Sequence, residues 1–600
     1  LEKILWLESD RMGFFLDAVT QKKFEVQRET VKNERSQRVD NRPYGRVNER
    51  ISAALYPTGH PYSWPVIGYP EDLERVGLDD LKDFFSRWYG PNNATLTIGG
   101  DFNEREAIGW VKKYFGPIPR GPVVGITEKS SFEIHQDRYI SMEDNVHLPL
   151  LVMSYPTIHY RHEDEAPLDF LSSILGAGKT SLFYKNLIRN QLAVDAGVNH
   201  PCRELECNFE LYVLPHPSSG KSLSHIESVI RDTLDEFEER GVEADDLLMV
   251  KAEMESMFVY GLQSVAGKVS TLASNQTLSG NPDQIQQDIT RYNNVTESDV
   301  MRVFRKYLKN KHAVIMSVVP HGHLNDIAAK DSYLAPTKPE SETSTVSAIN
   351  VDVRRAKDNF DRSRKPIAQI NKETIVPTLW RHSTDNGIKI LGTQSIETPT
   401  TSIMLRIPAG HYYLEKDRAG TVSLLAQMLN ESTKRRSGED MDRELRKLGS
   451  SIDISAGKLY LNIDVNTLTK NLDETLSLVL EKLKHPAWLS EEFDRIKKST
   501  TEEILHSKKE PSYLARFAYM QLLYGDSIAS MPFAGTEATI DHISLDEVKD
   551  FFNHQVKPHG GQLIVVSDIP KSDIIKALSV LDNWAGRGRS LELQFPKTEF

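Results

Sequence analysis

The sequence predicts an α+β protein of duplicated domains, with antiparallel-rich sheets flanked by helices. Two sets of internal matches carry that reading. GLDDLKDFFSRWYGPNNATLTIGGDF (77–102) and SLDEVKDFFNHQVKPHGGQLIVVSDI (544–569) share one order: an acidic first turn, a helix, a Pro or Gly loop, then a β-rich run closing near an Asp. VTESDVMRVFRKYLKNKHAVIMSVVP (295–320) is a weaker third copy. Upstream, FEVQRETVKNE (24–34) aligns with FDRIKKSTTEE (493–503) and more loosely with LLMVKAEMESM (247–257). The two sets keep their distance: 44 residues from Glu34 to Leu78 and 42 from Glu503 to Leu545. Repeats this long indicate duplicated domains rather than a solenoid, and 600 residues exceed what one core can organise.

Taken in order, residues 1–20 mix apolar and charged positions as an amphipathic helix does, with none of the regions of a signal peptide. No Met opens the chain, so it is expected to be cut from a longer one. The 24–34 helix places Phe24, Val31 and Val26 for a core and Arg28, Arg35 and Arg38 for solvent, and Pro43 and Gly45 of DNRPYG stop it. On these residues alone Glu34 reads as a surface carboxylate. Glu503 is its repeat equivalent, and Met257 stands there in the middle copy.

The first unit, 1–120, closes at KKYFGPIPRGP. The second, 128–322, is expected to hold a strand at HLPLLVMSYP, a capped helix start at HEDEAP (162–167) and an amphipathic helix at SLSHIESVIRDTLDEFEERG. GAGKTSLF (176–183) brushes against a phosphate-binding loop, but it follows the helix-like DFLSSIL rather than a strand, so nucleotide binding is rejected. Residues 323–375 read as a polar linker. The third unit, 376–600, opens at STDNGIKILGTQ.

Composition narrows the function classes. A net charge of −12 argues against nucleic acid or an anionic membrane as partner. There is no apolar run long enough to span a bilayer. Cys202 and Cys207 are too few to close a zinc site; they pair locally in an exported protein or stay reduced in the cytosol. His60, His159, His162, His554 and His559 read as isolated exposed residues.

Several stretches together resemble the M16 zinc metallopeptidases, the pitrilysin and insulinase type, in their bacterial form. They are the 24–34 helix with DNRPYG, HPYSWPVIGYPEDLERV (60–76), WYGPNNATLTIGGDF (88–102) and AGTVSLLAQMLNESTKRRSGEDMDRELRKLGSSIDISAG (419–457). The family holds zinc with two His of an H-x-x-E-H helix and a distant Glu, the Glu within the motif serving as general base. By this resemblance Glu34 is the third metal ligand, and Gln27 a solvated or hydrogen-bonded neighbour. No H-x-x-E-H occurs in the chain. The motif and the general base are expected upstream of Leu1, so no catalytic residue lies within these residues and zinc is expected only in the full-length protein.

In the third unit the motif position reads Ala426-Gln427-Met428-Leu429-Asn430-Glu431. Gln427 stands for the first His, Asn430 for the base and Glu431 for the second His, with Glu503 expected to face them as the remnant of the distant ligand. Arg189 is expected to be structural, because no Tyr follows it where the family pairs one. The resemblance further implies two halves around a chamber, a peptide or small unfolded protein as substrate, and a fourth domain beyond residue 600. A homodimer or second M16 chain is a possible partner. Export to the periplasm is implied, with the cytoplasm as alternative. The rival reading is a non-catalytic homologue serving as scaffold or partner subunit.

Overall fold

The computed structural model describes residues 1–125, 127–129, 132–335, 356–367 and 376–591. It is a mixed α+β fold with two sheets flanked by helices. The first sheet is formed by β1 (Arg138–Asp144), β2 (Leu150–Pro156), β3 (Ala193–Asn199), β4 (Asn208–Pro215) and β5 (Val314–Pro320), in the order β1-β5-β2-β4-β3. The second is formed by β6 (Trp380–Ser383), β7 (Lys389–Gln394), β8 (Thr400–Ile407), β9 (Ser451–Ala456), β10 (Leu461–Leu468) and β11 (Gln562–Ser567), in the order β6-β7-β11-β8-β10-β9. Apart from the added β6, the two orders are the same. In each sheet the first strand of the shared order pairs in parallel with the last in sequence, and every other pairing is antiparallel. The parallel pair was not visible in the sequence, because its two strands lie more than 170 residues apart.

The helix-then-strand copies hold in both sheets: Glu297–Tyr307 precedes β5, and Leu545–Gln555 precedes β11. Their acidic first turns are capping boxes. Asp299 Oδ2 accepts the Thr296 N–H at 3.1 Å, and Glu547 Oε2 accepts that of Ser544 at 2.8 Å. In the first unit the helix Leu78–Trp88 forms and Asp80 Oδ2 accepts the Gly77 N–H at 2.7 Å. The expected strand after it does not: residues 94–101 belong to no sheet among the described residues. A strand exists only through its neighbours, and none reaches this run.

Burial explains why the two sheets read differently. In the first, β2 shows Leu151, Met153 and Tyr155 to a large core with the helices Glu165–Gly176 and Leu223–Arg240. Its Leu150 and Val152 face a second, smaller core around Val47, Ile51 and Leu55 of the first unit's helix Val47–Leu55. With both faces covered, LLVMSYP and VIMSVVP run nearly continuously apolar. In the second sheet β11 alternates, with Leu563 and Val565 buried while Ile564 and Val566 are exposed.

Parts of the expected linker are docked. Ser332 N–H donates to the Tyr139 carbonyl at 3.0 Å, and the Arg138 guanidinium sits over the Tyr333 ring. Farther on, Arg362 binds Asp358 and donates to Ser9 Oγ at 2.9 Å and Tyr114 O at 3.3 Å, tying this stretch to the first unit. Residues 336–355 and 368–375 of that linker lie outside the described residues, as does 592–600 of the third unit.

Candidate metal-ligand helix and a degenerate motif

The helix carrying Glu34 spans Gln21–Arg35, capped by Thr20, whose hydroxyl accepts the Lys23 N–H. Phe24 is buried, Val31 half-buried and Val26 exposed, so the inward stripe is narrower than the sequence suggested. Arg35 reverses its expected place. Its side chain is 3% exposed, paired with Glu49 at 2.9 Å and Asp40 at 3.3 Å, and donates to the Gly68 carbonyl at 2.8 Å. Those partners come from segments beyond the helix, which a local pattern does not record. Arg28 is also mostly covered and donates to Val76 O at 3.1 Å, whereas Arg38 is solvent-facing.

The DNRPYG loop anchors this helix to the first sheet. Tyr44 donates its hydroxyl to Leu148 O at 2.6 Å and its N–H to Asp144 Oδ2 at 2.8 Å. Gly45 is required there, since a Cβ would stand 2.3 Å from the Val39 carbonyl oxygen.

Glu34 itself is 43% exposed and makes an ion pair with Arg38 at 3.0 Å, one helical turn on. Such a pair contributes little to folding, so the carboxylate is not needed by the fold. It is also alone as a ligand. The described residues hold one cluster of three His, Cys, Asp or Glu able to share an ion, His200 with Cys202 and Cys207, and Glu34 is not in it. The donor set present around Glu34 therefore does not fit a zinc ion: one carboxylate against the three protein ligands a catalytic site needs. Gln27 is exposed.

The degenerate motif is fully engaged in structural contacts. It lies on the helix Thr421–Leu429 and the turn after it. Gln427 donates to Thr500 Oγ1 at 3.2 Å. Asn430 clamps the backbone of Ile454, donating to its carbonyl at 2.9 Å and accepting its N–H at 3.3 Å. Glu431 is buried between two cations, Lys179 at 2.7 Å and Arg495 at 2.8 Å. Burial alone pushes its carboxyl up, but those two charges outweigh it and hold it below the ordinary value. Glu503 makes no hydrogen bond or ion pair with these residues among the described ones. The inward stripe of the helix Ser490–Ser507 is Phe493, Ile496, Thr500 and Ile504, which leaves Glu503 exposed and gives the contact with Gln427 to Thr500.

Lys179 comes from the second unit, on the GAGKT turn. That turn grips a carboxylate: Asp442 Oδ2 accepts the N–H of Lys179 at 2.7 Å and of Thr180 at 3.3 Å. Gly178, at φ +68°, allows the approach. Beside it Arg446 binds Glu253 and donates to Ala177 O at 2.8 Å and Ser173 Oγ at 2.9 Å. Arg189 pairs with Glu439 across the same junction. Sequence reading missed Lys179, Thr500 and Arg495, for no local signal marks contacts made across roughly 70 to 250 residues.

Lys482 is buried behind this network, its amine pushed down to about 8 by burial and then by Lys179. Between about pH 8 and pH 10.4 the unfolded chain holds this proton and the folded chain does not, so stability rises with pH in that window. Lys482→Met is expected to flatten that rise, checked by denaturant unfolding at about pH 7 and about pH 9.5. An undiminished rise in the variant would count against it.

Two more expectations change. HEDEAP does open a helix, Glu165–Gly176, but the side chain of its N-cap residue Asp164 makes no cap; its buried carboxylate is held down to about 2, against the push of burial, by hydrogen bonds from Lys306, Tyr307 and Arg302. His60, His159 and His162 are part-buried rather than exposed; His60 stacks on Tyr56, and the rings of His159 and His162 lie 5.3 Å apart.

Comparison with known families decides the relationship. The model described as "Peptidase M16 inactive domain" matches residues 75–254, and "Insulinase (Peptidase family M16)" matches residues 389–531. The chain belongs to peptidase family M16. The insulinase-type match takes in the degenerate motif and Glu503, while the M16 inactive-domain match begins inside the first unit, before the helix Leu78–Trp88.

Among M16 relatives, "Zinc protease PqqE" of Helicobacter pylori is 26% identical over 326 residues, 53% of this chain and 72% of that protein. "Non-peptidase homolog YmxG" of the same organism is 24% identical over 200 residues, 33% of this chain and 46% of that one. A solved protease from Helicobacter pylori aligns with a TM-score of 0.48 at 26% identity, over 53% of this chain and 76% of that one.

Proposed function

We propose that the protein is a zinc-dependent M16 endopeptidase in which Glu34 supplies one metal ligand. The H-x-x-E-H helix that would complete the site, with its general base, is not among these residues. The observation that supports the proposal is the state of Glu34, a half-exposed carboxylate held only in an exposed pair with Arg38 among the described residues; its place as metal ligand rests on the resemblance of the 24–34 helix to the family. The degenerate unit is chemically silent, since Gln427, Asn430 and Glu431 are each committed to a structural partner. In this reading the two halves enclose a chamber for a peptide or small unfolded protein. The Cys202–Cys207 disulfide supports export to an oxidising compartment such as the periplasm.

A second reading is a non-catalytic M16 subunit working beside another M16 chain or a second copy. The similarity to a non-peptidase homologue favours it, as does the single ligand among the described residues. One assay separates the two. A chain carrying the upstream helix is incubated with an unfolded protein, with and without a chelator. The peptidase reading expects cleavage that the chelator stops and zinc restores; no cleavage at stoichiometric zinc would establish the subunit reading. The chain of residues 1–600 alone is expected to hold no zinc tightly at Glu34, because a lone carboxylate leaves the ion mostly hydrated.

A further inference from the structure

The second unit carries a set of metal-binding side chains that the M16 zinc chemistry does not use. The loop between β3 and β4 folds back on itself, so that Cys202 and Cys207 form a disulfide. One imidazole nitrogen of His200, at the start of that loop, lies within 4.8 Å of both sulphurs. The ring is held like that of a metal ligand. Its side chain is 1% exposed, and Nδ1 meets Asp169 Oδ1 at 2.7 Å, while the other oxygen of Asp169 accepts the Tyr292 hydroxyl. A carboxylate on Nδ1 fixes the tautomer with the lone pair on Nε2, the arrangement that orients histidines toward metals. Thr157 Oγ1 is 3.2 Å from that Nε2.

A cavity of about 570 Å³ lies next to the cluster, reaching its neighbours Thr157 and Glu206 but not its ligands, with Ile158, His159 and His312 on its walls. Glu206 precedes Cys207, is 1% exposed, and its Oε1 has no hydrogen-bond partner. Cys207 is fully buried.

We propose that this loop is a redox-gated site for a thiophilic divalent cation of the Zn2+ type. Oxidised, the two sulphurs satisfy each other and bind nothing. Two thiols, which become a disulfide, or one phosphine with one water, which become the phosphine oxide, supply the two electrons and two protons that turn the S–S bond into two thiols. Metal binding then releases those two protons to solvent. Cys202, Cys207 and His200 become two thiolate ligands and one imidazole, leaving a fourth tetrahedral position for water.

The test uses the 600-residue chain with Glu34→Gln, so that the family ligand is removed. The protein is reduced with a phosphine, freed of it under exclusion of air, and titrated with Co2+. One Co2+ per chain is expected, with a thiolate-to-cobalt charge-transfer band, and none in the oxidised protein. Asp169→Asn should weaken binding by roughly 10- to 100-fold, and Cys202→Ser with Cys207→Ser should abolish the band. Three results would overturn the proposal: no band in the reduced chain, equal binding by the oxidised chain, or a band that survives both cysteine substitutions. Loss of the circular dichroism of the fold on reduction would overturn it too, since the ligand set exists only on the folded loop.

Discussion

In a chain that carries the upstream H-x-x-E-H helix, Glu34→Gln is expected to lose zinc and peptidase activity together. The loss of kcat/KM should exceed the roughly 100-fold ceiling of changes outside the ligand set. Stability should hardly change, because among the described residues the partner given up is Arg38, in an exposed pair one helical turn away. Glu503→Gln is the matched control. It removes the repeat-equivalent carboxylate from an exposed position in the unit whose motif has lost both His, and should leave zinc content, turnover and melting temperature near those of the parent. Side-by-side metal analysis and kinetics check both. Equal catalytic losses from the two substitutions at unchanged stability would sink the claim that only the first half does chemistry.

Glu431→Gln is expected to act on the fold and not on the chemistry. Glu431 is 7% exposed and satisfies two cations, Lys179 from the second unit and Arg495 from the third. Replacing it takes the counter-charge from two mostly covered cations, leaving Lys179 the Asn430 carbonyl and Arg495 the field of Glu492. The cost approaches the roughly 3–5 kcal/mol of breaking a buried pair. Lys179→Met should cost less, because Arg495 still pairs with the carboxylate. The pH dependence has a definite sign. The folded carboxyl is held below its unfolded value, so its stabilisation is fully present above about pH 4.3 and is lost as pH falls through the folded value. The parent should therefore lose its advantage over Glu431→Gln on acidification, measured by denaturant unfolding at a series of pH values. A cost below about 1 kcal/mol at neutral pH, the range of an exposed pair, would refute the clamp.

Local pattern was enough for much of this protein. The acidic first turns that define the repeat are capping boxes at Thr296–Asp299 and Ser544–Glu547, and caps are made within a few residues of chain. The helix-then-strand order of the second and third units follows from the same short-range signals. The poor metal chemistry of the third unit is equally local, since an amide at Gln427 or Asn430 is a weak zinc ligand wherever it points.

What local pattern could not supply is partnership. Arg35 and Arg38 look alike in sequence, yet Arg35 is buried against Glu49 and Gly68 while Arg38 faces water. Residues 94–101 have strand composition but no neighbour to pair with among the described residues. Glu503 aligns with Glu34, but it is Thr500, about one turn earlier on the helix, that accepts the hydrogen bond of Gln427. Lys179 meets Glu431 across more than 250 residues, and His200 meets Cys202 and Cys207 only when the loop closes between β3 and β4. Helix periods and caps are encoded over one or two turns of chain; a charge's burial and a ligand's companions are set by segments that only folding brings together.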